Sequence, residues 1–208
     1  MSDAQLILFV VTSLVVIVTP GQDMILVMSR SIAQGSAAGI ATAAGVSTGL
    51  LGHTLLAGLG LGSILLASET LFVVLKLVGA AYLVYLGVRL LRTKPATLEL
   101  SGGEAAPLRR LWVQGALSNL SNPKIAIFYF AFLPQFVAPD TAHPTALLLM
   151  LGAAFAVLTF LVKGPVGWFA GALSAWLRER PRVLVGMHRT SGAVLVALGV
   201  RLAFERRG

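Results

Sequence analysis

Two polar stretches inside otherwise apolar runs are the parts of this sequence that could do chemistry. The first, Thr19-Pro20-Gly21-Gln22-Asp23, separates the apolar runs 6–18 and 24–28. The second is Asn119-Leu120-Ser121-Asn122-Pro123-Lys124. Because proline lacks a backbone N–H and clashes with the preceding turn, each stretch should break a helix. In a bilayer such a break persists only where protein, water or ligand satisfies the freed backbone groups.

Asp23 and Lys124 place opposite charges beside these breaks, and Asp23 is the one acid within a predicted span. An ionisable residue at that depth is a functional-site hypothesis. If the breaks face each other, one cavity holds a carboxylate, an ammonium and the N–H groups of helix N-termini, which favour anions. Such a cavity suits a zwitterion, with Asp23 taking an α-ammonium and Lys124 or the helix end taking an α-carboxylate. In a second interpretation Asp23 carries a coupling proton. In a purely structural one, Asp23 and Lys124 pair and hold the halves together.

Further residues near the breaks or in the middle of spans are candidates for substrate binding or coupling. These are Pro20, Gly21, Gln22, His53, Asn119, Asn122, Pro123 and Lys163. Each polar member also has a structural interpretation. His53 would be a hydrogen-bonded packing residue, Lys163 would snorkel or bond freed carbonyls, and the two asparagines would satisfy the broken backbone.

Composition indicates a single polytopic membrane domain. The 208 residues are 57% hydrophobic and 12% charged, whereas soluble domains carry about 25% charged residues. The chain has no cysteine, which excludes disulfides and thiolate metal sites. The net charge of +8 comes from basic residues at the ends of apolar runs. That pattern is typical of a cytoplasmic collar and argues against a nucleic-acid partner. Membrane lipid is therefore the expected surrounding partner.

Apolar runs predict an all-α protein with six membrane-spanning segments. The first three cover about residues 5–28, 37–67 and 71–91, and a polar linker follows at about 92–110. The last three cover about residues 111–132, 145–177, interrupted at 163–165, and 185–204. Runs of this length are long enough to cross the bilayer.

Matching features in the same order indicate two copies of one unit, 5–91 and 111–204. Pro20 and Pro123 are 103 residues apart, and His53 and Lys163 are 110 apart. Lys76-x-x-Gly79-Ala80 and Arg189-x-x-Gly192-Ala193 close the two halves. Three spans is an odd number, so the second copy must enter the membrane inverted. Inverted repeats with broken first helices are typical of secondary transporters.

These residues resemble the LysE/RhtB-type amino-acid exporters. Thr19-Pro20-Gly21-x-Asp23 is similar to the Pro-Gly-Pro-Asp/Asn signature of that family, although Gln22 stands in place of the second proline. Gly115-x-x-x-Asn119-x-x-Asn122-Pro123-Lys124 and Phe132-Leu133-Pro134-Gln135-Phe136 are also similar. The resemblance covers about residues 15–205. It implies proton-driven export of amino acids or close relatives across the bacterial inner membrane, and it leaves the substrate open.

The sequence therefore predicts a secondary exporter of small zwitterionic metabolites, foremost neutral amino acids, rather than an enzyme. A metal or inorganic-ion exporter of the same architecture is the alternative, although one in-span acid offers few ligands for a cation. An intramembrane hydrolase would need a second acid or a Ser/His arrangement. A membrane scaffold would not need charges at two helix breaks. No cofactor is expected, because Gly58-Leu59-Gly60-Leu61-Gly62 follows a membrane run rather than a strand. A homodimer is left open.

Overall fold

The computed structural model describes residues 3–61, 69–92, 105–137 and 141–204. Within these ranges the regular structure is helical, and no β-strand occurs there. The α-helices are α1 Asp3–Val18, α2 Gln22–Gln34, α3 Ser36–Leu56, α4 Glu69–Leu91, α5 Leu108–Leu120, α6 Pro123–Phe132, α7 Pro144–Trp168, α8 Ala170–Arg178 and α9 Pro181–Phe204. A π-helical turn, Ala57–Leu61, follows α3, and a 3₁₀ turn, Leu133–Phe136, follows α6. Most of the predicted linker 92–110 and the end of the second predicted span, 62–68, lie outside the described residues.

The first break falls where Pro20 predicts it. α1 ends at Val18, α2 begins at Gln22, and the two helices are bent by 53° relative to each other. Gly21 adopts an extended conformation before α2, whose hydrogen-bond ladder restarts when the Ile25 N–H donates to the Gly21 carbonyl at 2.9 Å. The break therefore places Asp23 in the first turn of a new helix rather than in the middle of a continuous one.

The second break also separates two helices at a proline, and here a side chain caps the second helix. α5 ends at Leu120, and Asn122 accepts a hydrogen bond from the Lys124 N–H at 3.1 Å. Asparagine is among the preferred N-cap residues, and proline suits the first helical position because its missing N–H would have no intrahelical partner there. Pro123 occupies that position in α6. The sequence Asn122-Pro123 thus ends one helix and starts the next.

Glycines bring α3 against both α5 and α7. A Cβ added to Gly45 would collide with the Trp112 carbonyl of α5. A Cβ on Gly39 would lie 2.7 Å from the carbonyl oxygen of Gly167, at the far end of α7. Small residues at such crossings let helix backbones approach closely. Gly39 and Gly45 of α3 therefore lie on the surface against which elements of the second half pack.

α4 and α9 pack antiparallel through reciprocal glycine contacts. A Cβ on Gly87 would lie 2.6 Å from the Gly192 carbonyl oxygen, and a Cβ on Gly192 would lie 2.7 Å from that of Gly87. Further along, a Cβ on Gly199 would lie 2.7 Å from the Ala80 carbonyl oxygen. Ala80 and Gly192 belong to the two closing motifs that the sequence matched, and Gly87 and Gly199 each follow one of these motifs by seven or six residues, so the two closing segments pack on each other.

Six buried aromatic side chains join α1, α6, α7 and the 3₁₀ turn. Their ring centroids lie 4.6–5.9 Å apart in the contacts Phe9–Phe132, Phe9–Phe136, Phe128–Phe132, Phe128–Phe155, Tyr129–Phe155 and Phe132–Phe136. Stacked and edge-to-face pairs of this kind add to the stabilisation from burial. The cluster forms the interior just behind the two breaks.

The helix at the predicted interruption 163–165 differs from expectation. α7 continues through Pro165 to Trp168, and the chain turns only at Phe169 before α8. The proline ring clashes with a carbonyl four residues earlier and removes one hydrogen bond. Pro165 is exposed and lies in the last turn of α7, so the helix ends three residues after the bond that the proline removes.

Three described helical segments are long and apolar enough to cross a bilayer: 36–60, 144–168 and 182–204. A fourth crossing results if the bent pair α1 and α2 acts as one span. These segments agree with the helical membrane protein that composition predicts. The full count of six spans and their inverted repetition stay predictions.

Candidate functional site

Asp23 is the centre of a buried polar cluster. Its side chain is 4% exposed. One carboxylate oxygen, Oδ2, accepts hydrogen bonds from Asn119 Nδ2 at 2.8 Å and from Lys163 Nζ at 3.3 Å. The other oxygen, Oδ1, is buried and has no hydrogen-bond partner. Since a buried acceptor without a donor is costly, this oxygen is available to a donor from a ligand.

Lys163 reaches this carboxylate from α7. It is buried, and its ammonium forms an ion pair with Asp23 rather than extending toward a membrane surface. Neither snorkelling nor a bond to a freed carbonyl therefore describes it. Removing two charges from water is unfavourable unless they pair and their hydrogen bonds are satisfied. The pair with Asp23 meets this condition for Lys163.

Lys124 lines the same cavity from the other break. It is the second residue of α6, and its Nζ lies 3.7 Å from the position that a Cβ on Gly21 would occupy. Among the residues that the structure describes, Asp23 is within ion-pair distance of Lys163 but not of Lys124. The carboxylate and the amine that the sequence singled out thus share a cavity without forming the direct pair of the structural interpretation.

The cavity between the breaks has a volume of about 30 Å³. That is room for about two water molecules, whereas small-molecule pockets measure about 300–1,000 Å³. In this state, called closed below, the cavity is too small for an amino acid. Its walls are Val16, Ile17, Thr19, Gly21, Gln22, Asp23, Met24, Leu50, Asn119, Asn122, Lys124, Ile125, Phe155, Thr159 and Lys163.

Seven of the ten candidates from the sequence line this cavity: Gly21, Gln22, Asp23, Asn119, Asn122, Lys124 and Lys163. Pro20, Pro123 and His53 do not line it. The two prolines shape the backbone on either side of the breaks. Both breaks therefore contribute side chains to a single space.

His53 contacts Asn119, a residue of the site, from outside the cavity. Its Nε2 lies 3.1 Å from the main-chain oxygen of Asn119. Because a carbonyl can only accept, Nε2 carries the hydrogen, which leaves Nδ1 buried and without a partner. The His53 ring also lies 5.7 Å from that of Tyr129. His53 thus fixes the residue whose side chain holds Asp23.

Two residues of α9 that the sequence did not single out bind the first break. His188 Nε2 lies 3.3 Å from the Pro20 carbonyl oxygen, which belongs to the interrupted helix. The hydroxyl of Ser191 contacts that of Thr19 and lies 3.4 Å from the Val15 carbonyl oxygen. Residues three apart share a helix face. The polar stretch 188–191 inside the last predicted span, with His188 and Ser191 three residues apart, was the signal that could have identified them.

The two breaks also touch directly at the edge of the cavity. Gln22 Nε2 donates a hydrogen bond to Ser118 Oγ at 3.2 Å, and Gln22 is exposed. Ser118 lies one residue before Asn119 and was likewise not predicted. This contact joins α2 to α5.

Most of the chain matches one family of membrane proteins. The model of the LysE type translocator matches residues 14–206. The chain belongs to the LysE type translocator family. This agrees with the resemblance carried by Pro20, Gly21, Asp23 and the second break.

Several curated relatives align with this LysE-type chain over nearly its whole length. An uncharacterized membrane protein of Pseudomonas aeruginosa is 36% identical, covering 90% of this chain and 89% of its own. The homoserine/homoserine lactone efflux protein of Salmonella typhimurium is 31% identical, covering 95% of both chains. The leucine efflux protein of the same organism is 27% identical, covering 94% of this chain and 92% of its own. No solved structure matches this LysE-type translocator.

Proposed function

We propose that this translocator exports small zwitterionic metabolites across the bacterial inner membrane, with neutral amino acids and homoserine as the first candidates. The supporting observation is that a buried carboxylate and two amines line one cavity between two helix breaks. Efflux of homoserine or leucine is what two relatives are named for. Both compounds carry an α-ammonium and an α-carboxylate, the two groups that this cavity could bind. Asp23 and Lys124 are the residues to which we assign them.

Asp23 supplies the position for the substrate ammonium. Its Oδ1 has no hydrogen-bond partner, whereas Oδ2 is held by Asn119 and Lys163. The carboxylate is thus fixed in orientation through one oxygen and offers the other. Bonds between charged groups in such surroundings are stronger than neutral ones. An ammonium at Oδ1 would remove the one unsatisfied acceptor that this carboxylate has.

Lys124 supplies the position for the substrate carboxylate. It lies in the first turn of α6, where the helix dipole is positive, so its ammonium adds to a positive potential. A cation is less favourable there than an anion, and an anion in front of Lys124 would relieve both effects. The Lys124 N–H is already bonded to Asn122, so the side chain and not this amide is the donor we assign.

The charges at the site favour a zwitterion over the alternative cargo, a metal or inorganic cation. Two lysines and one aspartate line the cavity. A cation would meet two ammonium groups and a single carboxylate oxygen that is free to coordinate it. Hard cations need several oxygen ligands. Within the described ranges, no three His, Asp or Glu side chains are grouped as a metal site would require.

Transport by this protein requires the cavity to open alternately to the two sides of the membrane. Its volume of about 30 Å³ is too small for an amino acid. We propose that the two halves, 5–91 and 111–204, form one transmembrane domain of six spans and move relative to each other about the breaks. A proton gradient drives this movement in our proposal. Broken helices facing a shared midplane site are the arrangement that such transporters use.

A binding screen followed by transport tests this function. Purified protein is heated in the presence of L-homoserine, L-leucine, other amino acids or divalent metals. Any stabilising compound is then tested for counterflow in proteoliposomes. Stabilisation and counterflow by zwitterionic amino acids are expected. Stabilisation by metals alone, or counterflow no faster than in protein-free liposomes for every amino acid, would reject the proposal.

A further inference from the structure

We propose that Lys163 carries the proton that this transporter exchanges for substrate. In the closed site the Lys163 ammonium is bound to the Asp23 carboxylate. Lys163 releases its proton when the ammonium of the substrate binds that carboxylate in its place. This inference rests on the proposed function and adds the residue and the stoichiometry of coupling. It follows from the position of Lys163, from the number of charges in the cavity and from the free oxygen of Asp23.

Position comes first. Lys163 Nζ lies 3.3 Å from Asp23 Oδ2, so the lysine already makes the ammonium–carboxylate contact that a substrate would make. In the absence of substrate, Lys163 thus fills the role that we assign to the substrate amine. A zwitterion that binds Asp23 through Oδ1 places a second ammonium on the same carboxylate. Like charges held this close in a buried site repel each other strongly.

The charge count shows how the repulsion is relieved. The closed site holds one carboxylate, Asp23, and two ammonium groups, Lys124 and Lys163. A bound zwitterion adds one charge of each sign, so three ammonium groups would face two carboxylates. If Lys163 loses its proton, two ammonium groups face two carboxylates: the substrate amine on Asp23 and Lys124 on the substrate carboxylate. Neutral, fully paired sets of charges are favoured in low-dielectric surroundings.

The proton balance is complete without another reactant. The Lys163 ammonium becomes a neutral amine, and its proton passes to water on the side from which the substrate came. When the substrate leaves on the other side, the amine takes a proton from water there and binds Asp23 again. One proton therefore moves inward for each zwitterion that moves outward. Lysine suits this role because it changes protonation readily when buried.

Lys163 is a better candidate for the proton carrier than the other titratable groups near it. Asp23 on α2 and Lys124 on α6 face it across the cavity. His53 on α3 donates to the Asn119 carbonyl and does not line the cavity. Asp3 on α1 and Arg30 on α2 do not line it either.

Proton release on binding is the first test. Isothermal titration of L-homoserine or L-leucine is run near neutral pH in two buffers with different ionisation enthalpies. The wild-type protein should release about one proton for each molecule bound. Whatever affinity Lys163→Gln has for the same compound, its binding should release no proton. Lys76→Gln, a substitution of a lysine outside the cavity, should behave like the wild type. Binding by the wild type without proton release would overturn the proposal, and this outcome does not depend on how any variant folds.

Coupled transport is the second test. In proteoliposomes, Lys163→Gln should lose the acceleration of transport by a pH gradient, whatever rate of counterflow it has at equal pH. Lys76→Gln should keep both the acceleration and the counterflow. If Lys163→Gln still accumulates substrate in response to a pH gradient, Lys163 is not the coupling residue although the export function stands. If the wild type neither binds nor transports any zwitterion, the proposed function itself fails.

Discussion

Lys163 Nζ lies 3.3 Å from Asp23 Oδ2 and joins residues that are 140 positions apart in the chain. The contact links α7 to the first break and gives the buried carboxylate a cation from the second half of the protein. The contact also predicts how substitutions of Asp23 and Lys163 affect the protein. Removal of either partner leaves a charge alone in the interior, whereas removal of both does not.

Asp23→Asn should abolish export. The variant leaves Lys163 and Lys124 without a carboxylate and removes the position assigned to the substrate ammonium. Loss of one partner in a buried charged contact costs about 2–5 kcal/mol, which corresponds to at least about a 30-fold reduction in transport. Counterflow of L-homoserine or L-leucine in proteoliposomes measures this loss. Full counterflow by the variant would show that Asp23 does not bind substrate.

The double variant Asp23→Asn with Lys163→Met separates stability from function. The single Asp23→Asn change should lower the melting temperature, because an unpaired buried ammonium costs about 3–5 kcal/mol. The added Lys163→Met change removes that charge and should restore most of the thermal stability. Transport should remain absent, since no carboxylate is present. Restored transport in the double variant would mean that the ion pair is purely structural.

Lys124→Gln should discriminate between two related substrates. L-homoserine has a carboxylate, whereas homoserine lactone is a cyclic ester without one. If Lys124 binds the carboxylate, the variant should lose about 10- to 100-fold in affinity for homoserine, given about 1.5–3 kcal/mol for a hydrogen bond to a charged group. Affinity for the lactone should change little. Titration of both compounds into wild type and variant makes the comparison, and equal losses would contradict the assignment of Lys124.

Gly39→Ala should disrupt the contact between α3 and α7. Its added Cβ would lie 2.6 Å from Ser31 Cβ and 2.7 Å from the Gly167 carbonyl oxygen. Backbone cannot yield as a flexible side chain can, so we expect a loss of about 1–3 kcal/mol or more in stability. Gly186→Ala in α9 is the matched control, because a Cβ there meets nothing within 4 Å. The melting temperatures of the two variants should differ clearly, with Gly186→Ala equal to or above the wild type.

A cross-link between the two breaks should stop transport. Gln22 Nε2 and Ser118 Oγ are 3.2 Å apart at the edge of the cavity, so Gln22→Cys and Ser118→Cys should be joined by a short thiol-reactive cross-linker. The natural chain has no cysteine, and only the introduced thiols can react. Counterflow should fall after cross-linking of the double variant and persist in each single variant treated alike. Unchanged transport by the cross-linked protein would show that the breaks need not separate there.

His53 and Lys163 show how far the internal repeat could be inferred. They are 110 residues apart, and the sequence placed them at equivalent positions of the two halves. In the structure, His53 of the first half contacts Asn119 at the second break. Lys163 of the second half contacts Asp23 at the first break. Each half therefore supports the break of the other, an exchange that an inverted repeat would produce.

The helix breaks could be predicted because their causes are local. Pro20 and Pro123 remove backbone donors, and Asn122 caps the helix that follows it. The partner of Asp23 could not be predicted in the same way. Both lysines were candidates, but only Lys124 stands beside a proline break that the structure contains, whereas Lys163 lies within the continuous helix α7. Contacts between residues far apart in the chain, such as the close approach of Gly39 and Gly167, set the position of α7. That position brings Lys163 next to the carboxylate.

The sequence by itself determined the class of this protein, its helix breaks and most of the polar side chains that line its cavity, because composition and backbone chemistry act within a few residues. Only the tertiary structure decided which amine pairs with Asp23, which oxygen stays free, and that His188, Ser191 and Ser118 bind the breaks. These outcomes depend on distances of a few ångströms between helices far apart in the chain. Such distances are set by how closely glycine-lined surfaces approach one another.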